Sequence, residues 1–197
     1  MDNIRLFVAI PLPESLLKRL ADVKYRLEGK VPRKSVRWVR AEGIHLTLKF
    51  LGDTPREKVP TITEALTVVG RNAPPCTLVA EGLGCFPNLR RPRVLWVGVS
   101  EPTGCLEALQ KAVEEAMTSL GYKPERHSFT PHLTLGRVRR GTSRRDEREI
   151  AETIEKTSVD QLAEFAADRF ELIRSDLKPT GAEYTTLETF LLQGGRA

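Results

Sequence analysis

Three cysteines, three histidines, two methionines and two tryptophans are scattered through 197 residues. Cys76, Cys85 and Cys105 are odd in number and show no CxxC spacing, so neither a disulfide framework nor a cysteine-based zinc site is expected. The expectation is three reduced, mostly buried thiols in a cytoplasmic protein. No apolar run approaches the roughly 20 residues that span a bilayer, so no membrane is expected as partner. The opening Met1-Asp2-Asn3 lacks a basic stretch followed by an apolar one, and no signal peptide is read. There is no HExxH, no His/Cys cluster, no paired-carboxylate motif, no P-loop and no GxSxG elbow. Gly82-Leu83-Gly84 is not followed by a third glycine at dinucleotide spacing, because Pro87 stands there. No metal and no cofactor are therefore expected. Disorder is excluded by ordinary usage, with 40% hydrophobic and 29% charged residues.

What is present in excess is arginine. Lys and Arg total 31 against 26 Asp and Glu, a net charge of +5. Arg33, Lys34, Arg37 and Arg40 surround Trp38; Arg90, Arg91 and Arg93 precede Trp96; Arg137, Arg139, Arg140, Arg144, Arg145 and Arg148 crowd one stretch. Cations interleaved with aromatics suit a phosphate-bearing, stackable ligand such as RNA. A solvated surface would look the same by charge alone, and +5 is too modest to imply tight non-specific nucleic-acid binding.

The chain also repeats itself. Arg5–Ile10 and Val94–Val99 both read as buried strands. Each is followed by a helical apolar stripe, Leu16, Leu17, Leu20, Val23 and Leu27 in one case, Leu106, Leu109, Val113, Ala116, Met117 and Leu120 in the other. Each helix leads to the tetrapeptide His-Leu-Thr-Leu, at His45–Leu48 and His132–Leu135. Further helices are expected after Thr54, with Thr54, Pro55 and Glu57 as a capping box, and over residues 143–157. Strands follow at Thr77–Glu81, Ala166–Ile173 and Tyr184–Leu192, with Ser175–Gly181 as a loop. The fold class is α+β, a single domain over 1–197 with internal pseudo-symmetry, mostly antiparallel strands and outer helices.

The duplicated tetrapeptides carry the chemistry. A lone histidine beside leucines is usually structural; two copies of one tetrapeptide, holding two of the three histidines, are not explained that way. Strand period places Leu46, Leu48, Leu133 and Leu135 in the core, and His45, Thr47 and Lys49, like His132 and Thr134, on the opposite face. Parity leaves the side of Arg137 open, because Gly136 precedes it. Two opposed imidazoles can act as a base–acid pair for in-line attack at phosphorus. Threonine hydroxyls and a nearby arginine such as Arg137 can hold the non-bridging oxygens. His127 has no repeat partner and reads as a loop or supporting residue.

With their flanks, His45-Leu46-Thr47-Leu48-Lys49-Phe50-Leu51-Gly52 and Pro131-His132-Leu133-Thr134-Leu135-Gly136-Arg137 resemble the paired motifs of the 2H phosphoesterases, nearest the RNA 2′,3′-cyclic phosphodiesterases, also called 2′-5′ RNA ligase-like proteins. Arg5–Ile10, Arg93-Val94-Leu95-Trp96, Ser175-Asp176-Leu177 and Gly181-Ala182-Glu183-Tyr184 are similar to that group too. The resemblance implies a bilobal fold around a central groove and metal-independent hydrolysis of cyclic phosphate RNA ends to 2′-phosphates. It further implies His45 as proton donor and His132 as proton acceptor, with Thr47, Thr134 and Arg137, read above from their chemistry, as the candidate phosphate-binding residues. RNA ends, small cyclic nucleotides and tRNA fragments are the implied partners of a monomer, and reversible 2′-5′ ligation is reported for the family. The other reading is a non-catalytic nucleotide- or RNA-binding module using the same groove.

Overall fold

The computed structural model describes residues 2–178 and 181–194. Leu16, Leu20, Val23 and Leu27 recur at helical spacing and are all buried on α1 (Glu14–Glu28), which starts directly after Pro13. Leu106, Leu109, Val113 and Met117 do the same on α3 (Cys105–Ser119). β1 (Asn3–Ile10) precedes α1, and between the two helices lie β2 (Val36–Trp38), β3 (Leu46–Pro55), α2 (Val59–Asn72), β4 (Cys76–Phe86) and β5 (Val94–Ser100). β6 (His132–Val138), α4 (Arg144–Lys156), β7 (Ala163–Ala167), β8 (Arg169–Lys178) and β9 (Gly181–Leu191) follow. Among the described residues no helix is long and apolar enough to cross a membrane.

The nine strands of the described residues join one antiparallel sheet, in the order β7-β4-β5-β6-β3-β1-β8-β9, with β2 added beside β6. Its middle is a narrow seam: β3 and β6 meet through the single register pair Leu46↔Leu133. Reading outward from that seam, β6 mirrors β3 and β5 mirrors β1, which is the repeat seen in the sequence. The two halves are not consecutive in the chain, because β8 and β9 return to pair with β1's side. Leu46, Leu48, Leu133 and Leu135 enter the main core with α1, α2 and α3, each burial contributing about 1.5–3 kcal/mol. A second cluster packs Ile150 and Ile154 of α4 on Leu95, Cys85 and Val138.

Several expectations change. Cys76 and Cys105 are disulfide-bonded, with Cα atoms 6.0 Å apart, and Cys85 is a free, buried thiol. Count and spacing along the chain do not report that the first residue of β4 meets the first residue of α3. Thr54 does not cap a helix. It is fully buried in β3, its hydroxyl bonded to the Gly52 carbonyl, and a short 3₁₀ turn over Arg56–Lys58 precedes α2. The helix expected over 143–157 is α4, whose N-cap Ser143 hydroxyl accepts the Asp146 N–H and whose C-cap is Thr157. Ser175–Lys178, expected as loop, belong to β8 and pair with Gly181–Tyr184; residues 179–180 of that expected loop lie outside the described residues. Ala166–Ile173 divides into the ends of two strands, β7 and β8, at Asp168.

Candidate active site

The two tetrapeptides occupy adjacent strands on either side of the seam. In each, burial alternates as period two demands: the leucines are buried, while His45, Thr47, His132 and Thr134 are half-buried on the other face. The alternation then breaks at the same place in both copies. Val8 pairs with Lys49 and Ala9 with Thr47, which leaves Leu48 as an extra residue. Leu95 pairs with Gly136 and Trp96 with Thr134, which leaves Leu135 extra. A bulge at the fourth residue of each tetrapeptide therefore flips the parity that follows. Lys49 and Gly136 turn inward, and Phe50 and Arg137 join the histidine face.

This corrects one sequence expectation and resolves another. Lys49 does not stand beside His45 and Thr47. It is buried, its Nζ 2.7 Å from Glu114 Oε1 and donating to the Lys123 carbonyl at 3.1 Å. Arg137, whose side parity alone left open, is exposed on the face of His132 and Thr134.

Each imidazole is held by the carbonyl two residues before it. The Gly43 carbonyl favours a proton on His45, and His132 Nδ1 lies 2.8 Å from the Thr130 carbonyl, so that Nδ1–H donates to it. His45 stacks on Phe7 at 4.5 Å between ring centroids, with Tyr184 edge-on at 5.3 Å. His132 meets Phe86 edge-on at 4.9 Å, with Trp96 beyond at 6.4 Å. Trp96 lies flat over Gly84: a Cβ there would overlap the indole ring, so only glycine admits it.

Both imidazoles are held in the neutral form. Burial pushes His45 down to about 4, against the Gly43 carbonyl, and the charge of His132 adds to the depression. Burial also lowers His132, opposed by the Thr130 carbonyl and reinforced by the Arg137 cation. The groups therefore sense one another electrostatically, as a coupled pair across the seam.

A cavity of about 500 Å³ opens on this face, lined by Thr47 and Phe50 on one side and His132, Phe86, Pro87 and Phe129 on the other. Glu114, Gln110 and His127 also border it, so His127 is a lining residue of the cavity. Glu114 Oε2 is buried there without a partner among the described residues. Phe50 and Tyr184 are the exposed aromatics near the histidines, and Trp38 packs partly buried against both hydrophobic clusters. Among the described residues no group of three or more His, Cys, Asp and Glu side chains could hold a metal ion.

Comparisons with known proteins give the family and the fold. Residues 12–179 match the model of the 2'-5' RNA ligase superfamily. A protein of Archaeoglobus fulgidus named RNA 2',3'-cyclic phosphodiesterase is 35% identical over 187 residues, covering 95% of this chain and 99% of its own. One of the same name from Methanothermobacter thermautotrophicus is 34% identical over 190 residues, covering 96% and 100%. Among solved structures, TT0787 of Thermus thermophilus superposes with a TM-score of 0.81 at 27% identity, covering 98% of this chain and 100% of that one. Escherichia coli LigT complexed with 3'-AMP gives 0.76 at 26% identity, covering 97% and 99%. With its two half-buried histidines, two threonines and one arginine around a seam of the same fold, this chain belongs to the 2'-5' RNA ligase superfamily.

Proposed function

We propose that this protein hydrolyses RNA 2′,3′-cyclic phosphate ends to 2′-phosphates, without a metal, by acid–base catalysis from His132 and His45. The observation that carries the reading is the pair of imidazoles on adjacent strands, each oriented by a backbone carbonyl and each beside a threonine hydroxyl. The names of the relatives support the substrate class.

In this reading a nucleoside fills the phenylalanine-lined cavity and its cyclic phosphate lies between the histidines. His132 Nε2 takes a proton from water as its oxygen bonds to phosphorus. The P–O3′ bond breaks, and His45 delivers a proton to the departing 3′ oxygen. Thr47, Thr134 and Arg137 hold the non-bridging oxygens, whose charge is retained throughout. Burial first, and the Arg137 cation in addition, hold His132 below its ordinary value, in the neutral form a base needs. His45 has Phe50 at the equivalent position, so its imidazole gains a proton when the phosphate anion arrives to offset the cost of burial. A ribose 5′-hydroxyl in place of water would form a 2′-5′ linkage by the same steps, the basis for ligation of RNA fragments such as tRNA halves.

The test is incubation with a 2′,3′-cyclic oligonucleotide in EDTA and identification of the product. A 2′-phosphate end is expected. Binding without turnover would leave only the nucleotide-binding module, and a 3′-phosphate product would reverse the leaving oxygen.

A further inference from the structure

We propose that Arg37 binds the phosphodiester on the 5′ side of the cyclic phosphate, making an RNA end of two or more nucleotides, rather than a cyclic mononucleotide, the preferred substrate. The inference rests on the hydrolytic reading above and names its substrate class.

In the short ladder between β2 and β6, Arg37 stands directly opposite Arg137. Side chains directly opposite in an antiparallel pair emerge on the same face, with Cβ atoms about 4.5–5.5 Å apart, and like charges so placed repel. Val36 and Trp38 point the other way, since a Cβ on Gly136 would touch both of them, at 2.7 and 2.9 Å. Arg37 is thus directed to the face of His132, Thr134 and Arg137. Both arginines are exposed, and among the described residues neither has an acidic partner within ion-pair distance. Arg93, by contrast, is tied to Glu147 at 2.7 Å and serves the fold.

A strand of three residues gains nothing from this repulsion, and a neutral residue would serve it better. Two unpaired guanidinium groups side by side suit consecutive phosphates. The cyclic phosphate is by its chemistry a 3′ terminus, so any further phosphate lies on its 5′ side. Beyond Arg37 the charge continues. A cavity of about 570 Å³ at the end of β2 is lined by Arg33, Lys34, Arg37 and Arg139 together with Val36 and Trp38, with Glu28 the one acid among its described lining residues. The arginines that the sequence placed around Trp38 thereby extend the phosphate track away from the histidines.

The test compares kcat/KM for 2′,3′-cyclic AMP and for a trinucleotide ending in a cyclic phosphate, over a range of salt. Wild type should prefer the trinucleotide. Arg37→Gln should lower the trinucleotide-to-mononucleotide ratio by about tenfold, the weight of one hydrogen bond to a charged group. Its salt slope should become shallower by about 0.7, one single-strand phosphate contact. Arg37→Lys, which keeps the charge, should retain most of the ratio and all of the slope. Thermal unfolding of Arg37→Gln should not fall, because the substitution relieves repulsion. An unchanged ratio in a folded Arg37→Gln protein overturns the proposal while leaving hydrolysis standing. A wild type that cleaves neither substrate overturns the hydrolytic reading itself.

Discussion

The two His-x-Thr strands are alike for four residues and then diverge. His45–Leu48 and His132–Leu135 share sequence, burial and a bulge at the last leucine. Past the bulge, Lys49 answers to Gly136 and Phe50 to Arg137. The inward position holds a buried ammonium paired to Glu114 in one half and, in the other, a glycine that lets Val36 and Trp38 approach. The outward position offers a stacking ring in one half and a cation in the other. Duplication supplied two equivalent imidazoles, and the outward position past the bulge distinguishes their surroundings. In the proposed reaction an acid and a base must differ in proton affinity when substrate is bound, and the Arg137 cation, which adds to the effect of burial on His132, has no counterpart beside His45.

The largest effects should come from breaking the shared part. His45→Ala and His132→Ala should each lower kcat by about 10²–10⁴-fold, with little change in melting temperature, since neither side chain belongs to the helix-packed core. Turnover and thermal unfolding check both statements. Near-normal turnover in either variant removes that histidine from the reaction.

Next come the residues proposed to hold the phosphate. Thr47→Val and Thr134→Val keep the β-branched shape and delete the hydroxyl. Each should cost about 1.5–3 kcal/mol of transition-state stabilisation, read as kcat/KM in EDTA. Arg137→Gln should cost a similar amount. It should also move the acidic limb of the kcat/KM profile to higher pH, because the cation that opposes protonation of His132 is gone. Phe50→Gln should leave that limb in place, which sharpens the contrast between the halves.

A further effect is on stability. His45 is near 6.5 when unfolded and about 4 when folded, so the fold favours its neutral form. The stability this represents is fully present above pH 6.5, is lost as pH falls toward 4, and stays lost below. The full span is roughly 3 kcal/mol. Denaturant unfolding between about pH 4 and pH 7 should show a shallower fall for His45→Gln than for wild type. At the aromatic support of His132, Gly84→Ala should cost about 1–3 kcal/mol through the clash with Trp96, measured by melting temperature.

Much of this molecule was legible because its information is local. Helical stripes and the duplicated tetrapeptide named α1, α3, β1, β5 and both histidine strands, since burial on one face leaves a period in the chain. What stayed hidden depends on partners distant in sequence. The bulges at Leu48 and Leu135 come from pairing with β1 and β5, so parity misdirected Lys49 and could not settle Arg137. The Cys76–Cys105 bond needs β4 and α3 brought together. β2 has only three residues, too few for alternation to register. A sequence signal for the bulges did exist in the second copy: a glycine breaking a strand after the tetrapeptide is a usual mark of a bulge.

The account stands on the inequivalence of the two imidazoles, and NMR titration reads it directly. Ring nitrogens of His45 and His132 can be followed against pH in the free protein and with a 2′-phosphate mononucleotide bound. Free, both should titrate below 6.5, His45 near 4. With the phosphate bound, His45 should carry the proton at neutral pH while His132 remains neutral beside Arg137. Protonation of His132 first, or of neither, would contradict the assignment of acid and base.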